Sequence, residues 1–220
     1  MIKSLMRATA LIPLLLSPYV MAADTAIIKV QATLMMGSCT PSLDNGGLLD
    51  FGGFPIDHLY EDTPSGLDTR SISLHITCSE PVALAYTFQD DRSDTLDGGS
   101  ADIATYGFGI GKTAGGVNIG HYYLYLVGPD TPVVNNAPAR TIYSDNNGAD
   151  WNLASSSTRA SNSGGNLAAF SDTQDFTHPL AVETAEVVLS VHPIVQSRKT
   201  LALTDDQPYE GLATISLVYL

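Results

Sequence analysis

Short stretches in which apolar and polar residues alternate one by one constrain this sequence more than any other feature. Successive side chains of a β-strand point to opposite faces, so this alternation is typical of a strand with one buried face. No segment of ten or more residues combines helical periodicity with capping residues. The pattern therefore predicts an all-β fold, a sandwich or a barrel. The predicted strands lie at residues 28–34, 71–77, 82–88, 106–110, 119–127, 184–192 and 212–220.

Turn residues separate the predicted strands. Asp44-Asn45-Gly46-Gly47 and Asp145-Asn146-Asn147-Gly148 contain the Asn and Gly residues that accept a positive φ in tight turns. Ser79-Glu80-Pro81 predicts a further turn between the second and third strands. Residues 144–175 are rich in Ser, Asn, Gly and Asp, which predicts a long exposed excursion between strands and not a separate domain.

The first 22 residues have the three parts of a secretory signal peptide. Lys3 and Arg7 form a positive start, an apolar run follows, and Ala22 supplies the small residue required at a cleavage site. We therefore expect residues 1–22 to be removed and residues 23–220 to form a single β-sandwich domain. Its expected location is the periplasm or the cell surface.

Cys39 and Cys78 both lie in the expected exported part of the chain. An even pair of cysteines in an oxidising compartment predicts a disulfide bond. Closing a loop of this length removes roughly 4 kcal/mol of unfolded-chain entropy on the loop-closure model. The bridge would contribute to stability, but the core must supply most of it.

The chain has 10 Lys and Arg residues against 23 Asp and Glu residues, which gives a net charge of −13. This excess of negative charge argues against nucleic acid and anionic membranes as partners. Carboxylates crowd one segment at Asp90, Asp91, Asp94 and Asp97. Their spacing does not match a calcium loop, so we expect them to face solvent, with calcium binding as the alternative.

No motif in the sequence predicts catalysis or a cofactor. The five histidines have none of the short spacings of a zinc pair, and no Ser-based nucleophile elbow or phosphate-binding loop is present. A paired-carboxylate glycosidase stays open, because the distance between carboxyl groups cannot be read from sequence. We expect a protein that is not an enzyme and needs no cofactor. The histidines are His58, His75, His121, His178 and His192.

Five sequence blocks follow one another along the chain: V-Q-A-T-L-M-M-G-S-C-T-P-S-L-D-N-G-G-L-L-D-F-G, S-I-S-L-H-I-T-C, Q-D-D-R-S-D-T, G-V-N-I-G-H-Y-Y-L and E-G-L-A-T-I-S-L-V-Y-L. In this order they resemble the GltF-like family of exported bacterial proteins. The resemblance implies an exported protein of poorly defined function that is associated with chaperone–usher fimbrial systems. Asp91 departs from the family pattern, in which an Asn is expected.

A broader resemblance is to chaperone–usher pilins, which are immunoglobulin-like sandwiches that lack their last strand. Their C-terminal strand alternates and carries a penultimate Tyr, as Tyr219 is here. The resemblance implies an immunoglobulin/pilin-like β-sandwich with one disulfide, and a fimbria-associated structural or adhesive subunit assembled by β-strand exchange. The implied partners are a periplasmic chaperone, an usher and other fimbrial subunits. The implied strand-exchange residues are Ile28, Val30, Ala213, Ile215, Leu217 and Tyr219.

The alternative is a complete sandwich that acts as a free-standing, lectin-like, sugar-binding module of the periplasm or surface. Few residues precede Cys39 after cleavage, so little chain is left to donate to a neighbour. Tyr122, Tyr123, Tyr125 and Trp151 offer rings that can stack on a sugar, although aromatic residues at alternate strand positions are more often core.

Overall fold

The computed structural model describes residues 37–128 and 130–220, and this part of the chain is built mainly from β-strands. The predicted all-β class is confirmed. The predicted signal peptide and the strand predicted at residues 28–34 lie outside the described residues. The strands are β1 (Cys39–Leu43), β2 (Ser65–Gly66), β3 (Arg70–Asp90), β4 (Gly107–Gly109), β5 (Gly120–Tyr125), β6 (Val133–Val134), β7 (Ala137–Pro138), β8 (Arg140–Ser144), β9 (Asn152–Leu153), β10 (Leu167–Ser171), β11 (Ala181–Val195) and β12 (Ala213–Tyr219). The helices are α1 (Ala101–Tyr106) and α2 (Arg198–Leu201), with 3-10 turns at Asp44–Gly47, Ile56–His58 and Ser93–Thr95.

Strand β3 belongs to two sheets and connects them. Its first part pairs antiparallel with β1 on one side and β11 on the other, and β11 continues that sheet to β5 and β4. Its last part pairs antiparallel with β12 and meets β10, which continues the second sheet to β8 and β9. The long strand therefore fixes both sheets relative to each other through its own backbone.

The turn predicted at Ser79-Glu80-Pro81 is wrong, because β3 runs through these residues without a break. The pairing between β3 and β11 shifts here: Thr77 lies opposite Thr184, whereas Val82 lies opposite Val182. Pro81 falls within this irregular stretch, where its missing N–H breaks no regular ladder bond. The turn-like residues mark the point at which β3 leaves the first sheet for the second.

The prediction of a long exposed excursion at residues 144–175 is wrong for residues 160–162 and 166–171, which are buried. Ala160 is fully buried, and every residue of β10 is buried between β3 and β8. Asn162 and Asn166 are also buried, and their amides bond to main-chain groups. The Asn162 Nδ2 donates to the Gly107 carbonyl at 2.7 Å, and the Asn166 Nδ2 donates to the Arg159 carbonyl at 2.9 Å. Much of this polar segment is therefore internal structure.

The strand predicted at residues 106–110 is shorter than expected, because Tyr106 ends helix α1. Ser100 is the N-cap of this helix, and its hydroxyl accepts a hydrogen bond from the Ile103 N–H at 3.2 Å. A serine cap satisfies one of the free N–H groups of a first helical turn. The two predicted Asn-Gly turns are confirmed, since Asn45 and Asn147 have φ values of 50° and 59°.

One large hydrophobic cluster is formed by side chains from both sheets. It contains Leu74 and Val187 of the first sheet together with Tyr86 and Phe170 of the second. A smaller cluster of Ala85, Ile142, Leu167 and Ala169 lies on the other face of the second sheet. The second sheet is thus covered by apolar side chains on both faces.

Candidate interaction surface at the last strand

The disulfide joins Cys39 of β1 to Cys78 of β3. The two residues are direct cross-strand neighbours with Cα atoms 4.0 Å apart, and the S–S bond is formed. The predicted bridge is therefore confirmed. Cys78 lies inside the long strand and not at its end, because β3 continues to Asp90.

Strand β12 forms one edge of the second sheet among the described residues. It pairs antiparallel with β3, from Ala213 opposite Asp90 to Tyr219 opposite Leu84. The Asp91 N–H donates to the Leu212 carbonyl at 3.0 Å, and the Leu220 N–H donates to the Ala83 carbonyl at 3.1 Å. These two bonds, at even-numbered residues, show which residues along β12 bond to β3.

Bonding residues alternate along an antiparallel strand, so the even-numbered residues of β12 bond to β3. The N–H and C=O groups of the odd-numbered residues then point away from β3. Those residues are Ala213, Ile215, Leu217 and Tyr219, which are the predicted strand-exchange residues of this strand.

Three of these side chains pack against the large hydrophobic cluster. Ala213, Ile215 and Leu217 are each half-buried there, whereas most apolar residues of the central strands are fully buried. Tyr219 is 51% exposed, and its hydroxyl accepts a hydrogen bond from the Cys39 N–H at 2.9 Å. The last strand thus meets the start of β1 beside the disulfide. Ile28 and Val30, the other predicted strand-exchange residues, lie outside the described residues.

The carboxylates of the acidic segment point to separate partners. Asp90 accepts hydrogen bonds from the N–H groups of Arg92 and Gly109 at 2.8 and 3.0 Å, and burial raises its pKa in spite of these bonds. Thr214 of β12 donates to Asp91 at 2.7 Å, and Lys112 pairs with Asp94 at 3.3 Å. The expectation that all four face solvent is wrong for Asp90 and Asp97, whose side chains are buried.

Asp97 belongs to a buried polar cluster that the sequence analysis missed. Its carboxylate bonds to His121 Nδ1 at 2.6 Å and accepts from Gln196 Nε2 at 2.6 Å. The side chains of Asp97 and His121 are 2% and 4% exposed. Burial acts to raise the pKa of Asp97, but the hydrogen bonds from His121 and Gln196 outweigh it and hold this pKa below its ordinary value. The cluster joins an irregular loop to β5 and to the residue that follows β11.

A second polar cluster lies beside it and involves Asp102, Tyr123 and Arg159. Arg159 donates to Asp102 at 2.7 Å, Tyr123 donates to the same carboxylate at 2.8 Å, and the guanidinium lies 4.4 Å from the centre of the Tyr123 ring. The hydrogen bond from Arg159 lowers the pKa of Asp102. Burial and the bond to Asp102 raise the pKa of Tyr123 to about 12.

The aromatic residues proposed for sugar stacking divide between core and surface. Tyr122 and Tyr123 are buried, and Tyr122 stacks on Phe108 with ring centres 5.1 Å apart. Trp151 is half-buried and lines a surface pocket of about 300 Å³ together with Thr177, His178 and Leu220. Tyr125 of β5 is half-buried as well, so Trp151 and Tyr125 stay candidates for contact with an external ring.

The part of the chain that the structure describes contains no group of three or more His, Cys, Asp or Glu side chains placed to hold a metal ion. Within the same residues, no helix combines the length and the apolar character needed to cross a membrane.

Two comparisons with known proteins give a family match and a relative. Residues 28–102 match the family described as "Protein of unknown function (DUF1120)". The chain is also similar to the uncharacterized protein YhcF of Escherichia coli (strain K12), with 33% identity over 122 residues. That similarity covers 48% of this chain and 51% of YhcF, so the chain spans about half the length of the relative it matches.

Proposed function

We propose that this chain is a fimbria-associated structural or adhesive subunit whose last strand takes part in β-strand exchange. The observation that carries the proposal is β12, which among the described residues has one paired edge and one edge with outward N–H and C=O groups. Its half-buried apolar side chains lie on the same residues as these outward backbone groups.

An edge of this kind favours the addition of another strand. Unpaired backbone groups and partly exposed apolar side chains are both stabilised when an extended segment docks beside them. The added strand would bond to the backbone of Ala213, Ile215 and Leu217 and place alternate side chains over the same core. In the proposed function this strand comes first from a periplasmic chaperone and then, at the usher, from another fimbrial subunit. No catalytic residue is needed.

Amide hydrogen exchange tests the proposal residue by residue. In the isolated domain the amides of Ile215 and Leu217 should exchange quickly, while those of Thr214 and Ser216 should be protected by β3. A bound chaperone or donor strand should protect the odd-numbered amides as well. If all four amides are protected in a chaperone-independent monomer, the sandwich is complete and strand exchange at β12 is wrong.

A matched pair of variants tests the same edge in cells. Ile215→Pro removes an N–H that points to the open edge, whereas Ile215→Ala removes a similar apolar contact and keeps the N–H. Proline is tolerated on edge strands where its missing donor faces outward. We expect Ile215→Pro to lose partner binding and assembly and Ile215→Ala to retain them. Equal assembly of both variants would contradict the proposal.

The Trp151 pocket supports a second candidate, a sugar-binding module. The pocket offers one indole ring beside the Thr177 hydroxyl and the His178 ring, and aromatic rings commonly pack against sugar faces. Trp151 is the only tryptophan in the chain, so its fluorescence reports on this pocket alone. A saturable fluorescence change with a glycan, lost in Trp151→Ala, would support this candidate. The absence of any such change across a glycan panel would remove it.

A further inference from the structure

A separate cavity of about 290 Å³ lies where β11 ends in the first sheet, and no residue of β12 lines it. It is formed where the loop at residues 54–59 meets the end of β11, helix α2 and the segment at residues 203–209. Its wall is mainly apolar and includes Ile56, Leu59, Leu67, Val195, Leu201 and Leu203.

The wall of the cavity is formed by buried side chains on one side and by partly exposed side chains on the other. Leu59, Leu67 and Leu201 are buried in the large hydrophobic cluster, whereas Phe54 and Ile56 at the mouth are 43% and 37% exposed. A cavity of about 150 Å³ accommodates benzene, so this one has room for roughly a dozen non-hydrogen atoms. Its size falls at the lower end of the range for small-molecule sites.

The polar side of the mouth carries negative charge that no ion pair neutralises among the described residues. Asp205 and Asp206 line it, and neither takes part in an ion pair among the described residues. The nearby cations of α2 are already engaged, because Arg198 pairs with Glu61 and Lys199 pairs with Asp62. No Lys or Arg is found among the described residues that line the cavity.

The segment that carries these carboxylates is anchored at several points. Ala202 caps the C-terminus of helix α2, with a left-handed φ of 46° and its N–H donating to the Arg198 carbonyl at 2.9 Å. Gln207 accepts a hydrogen bond from the Ala114 N–H at 3.0 Å, and the Glu210 N–H donates to the Ile110 carbonyl at 3.1 Å. The acidic mouth is therefore held in place over the apolar wall, as in a preformed site.

We infer that this cavity binds a small organic cation, with an apolar body of about a dozen non-hydrogen atoms and one ammonium group. The body would lie against Leu59, Leu67 and Leu201, and the ammonium would lie at Asp205 and Asp206. The net charge of −13 attracts cations to the whole molecule, and the carboxylates of Asp205 and Asp206, which form no ion pair among the described residues, select the orientation. The inference does not depend on the function proposed for β12.

Three probes of similar shape and different charge test the inference. They are tryptamine (cationic), 3-ethylindole (neutral) and indole-3-propionate (anionic), titrated by calorimetry into the chain as recovered from cells. We expect tryptamine to bind at least threefold more tightly than the neutral probe, and the anion to bind most weakly. Added salt should weaken only the tryptamine complex relative to the neutral one. Equal affinity for the three probes, or no binding of tryptamine at millimolar concentration, would overturn the inference.

Variants then locate the site. The double variant Asp205→Asn with Asp206→Asn should weaken tryptamine binding at least threefold and leave 3-ethylindole unchanged. The control, Glu80→Gln with Asp145→Asn, removes the same charge from exposed positions outside the cavity and should change neither affinity. Leu203→Trp fills the cavity and should abolish binding of both probes while the melting transition is retained. Loss of tryptamine binding in the control, or full binding in Leu203→Trp, would place the site elsewhere.

Discussion

At the residue scale, the buried Asp97–His121 pair holds the short loop between the 3-10 turn at Ser93–Thr95 and helix α1 against the first sheet. Removing one partner of such a pair leaves the other buried without compensation, which typically costs several kcal/mol. We therefore expect Asp97→Ala to lower the free energy of unfolding by about 3 kcal/mol, measured by urea denaturation. The control is Asp94→Ala, since its exposed contact with Lys112 should contribute less than about 1 kcal/mol. Equal losses in the two variants would show that the Asp97 cluster is not a stabilising contact.

The opposite pKa shifts of Asp97 and Asp90 predict opposite effects of acid. The folded-state pKa of Asp97 lies below its unfolded value, so its stabilisation is present above pH ~4 and is lost as the pH falls through the folded pKa. Asp97→Asn should therefore lose less stability than the wild type between pH 5 and pH 3. The pKa of Asp90 is raised, so acid favours the folded state at this residue, and Asp90→Asn should lose more than the wild type. Denaturation at each pH measures the free energy of unfolding of both variants and of the wild type. If acid shifts the two variants in the same direction relative to the wild type, the assignment is contradicted.

At the element scale, the sequence identifies strands whose alternation is local and misses contacts that depend on distant residues. Strands β5, β11 and β12 and the Cys39–Cys78 pair follow from alternation and cysteine count. Strand β10 does not, because its five residues are buried on both faces and so do not alternate. The Asp97–His121 bond joins residues 24 positions apart, and no local spacing signals it. The sequence also does not show which backbone groups of β12 point outward, because this follows only from the hydrogen bonds between β12 and β3.

The burial of β10 gives a prediction that tests whether this segment is a buried strand or part of an exposed loop. Ala169 is 0% exposed in the smaller hydrophobic cluster, so Ala169→Asp places a carboxylate in an apolar site without a partner. We expect a loss of about 3 kcal/mol or more in urea denaturation, or failure to accumulate. Ser157→Asp lies in the same polar segment at an exposed position and should change stability by less than about 0.5 kcal/mol. Tolerance of Ala169→Asp would mean that this segment does not form a buried strand.

At the scale of the whole molecule, one strand and one disulfide connect parts that are distant in sequence. Strand β3 contributes to both sheets and to the large cluster, and its partners include β1, β11 and β12. The Cys39–Cys78 bridge and the Tyr219 bond to Cys39 both lie at the start of β1, so the bridge and the last strand share a neighbourhood. Reduction of the disulfide is thus expected to disturb the end of β12 as well as β1.

The net charge of −13 gives the last prediction, because like charges repel across a compact molecule. Raising NaCl from 10 to 150 mM shortens the range of this repulsion to about 8 Å and should raise the melting temperature. Calcium should act only through the same screening, since the carboxylates of the acidic segment are bonded to separate partners. CaCl2 and MgCl2 at equal ionic strength should then give equal melting temperatures by calorimetry. An increase of several degrees with calcium alone would reveal selective binding to the folded state and would contradict this account of the acidic segment.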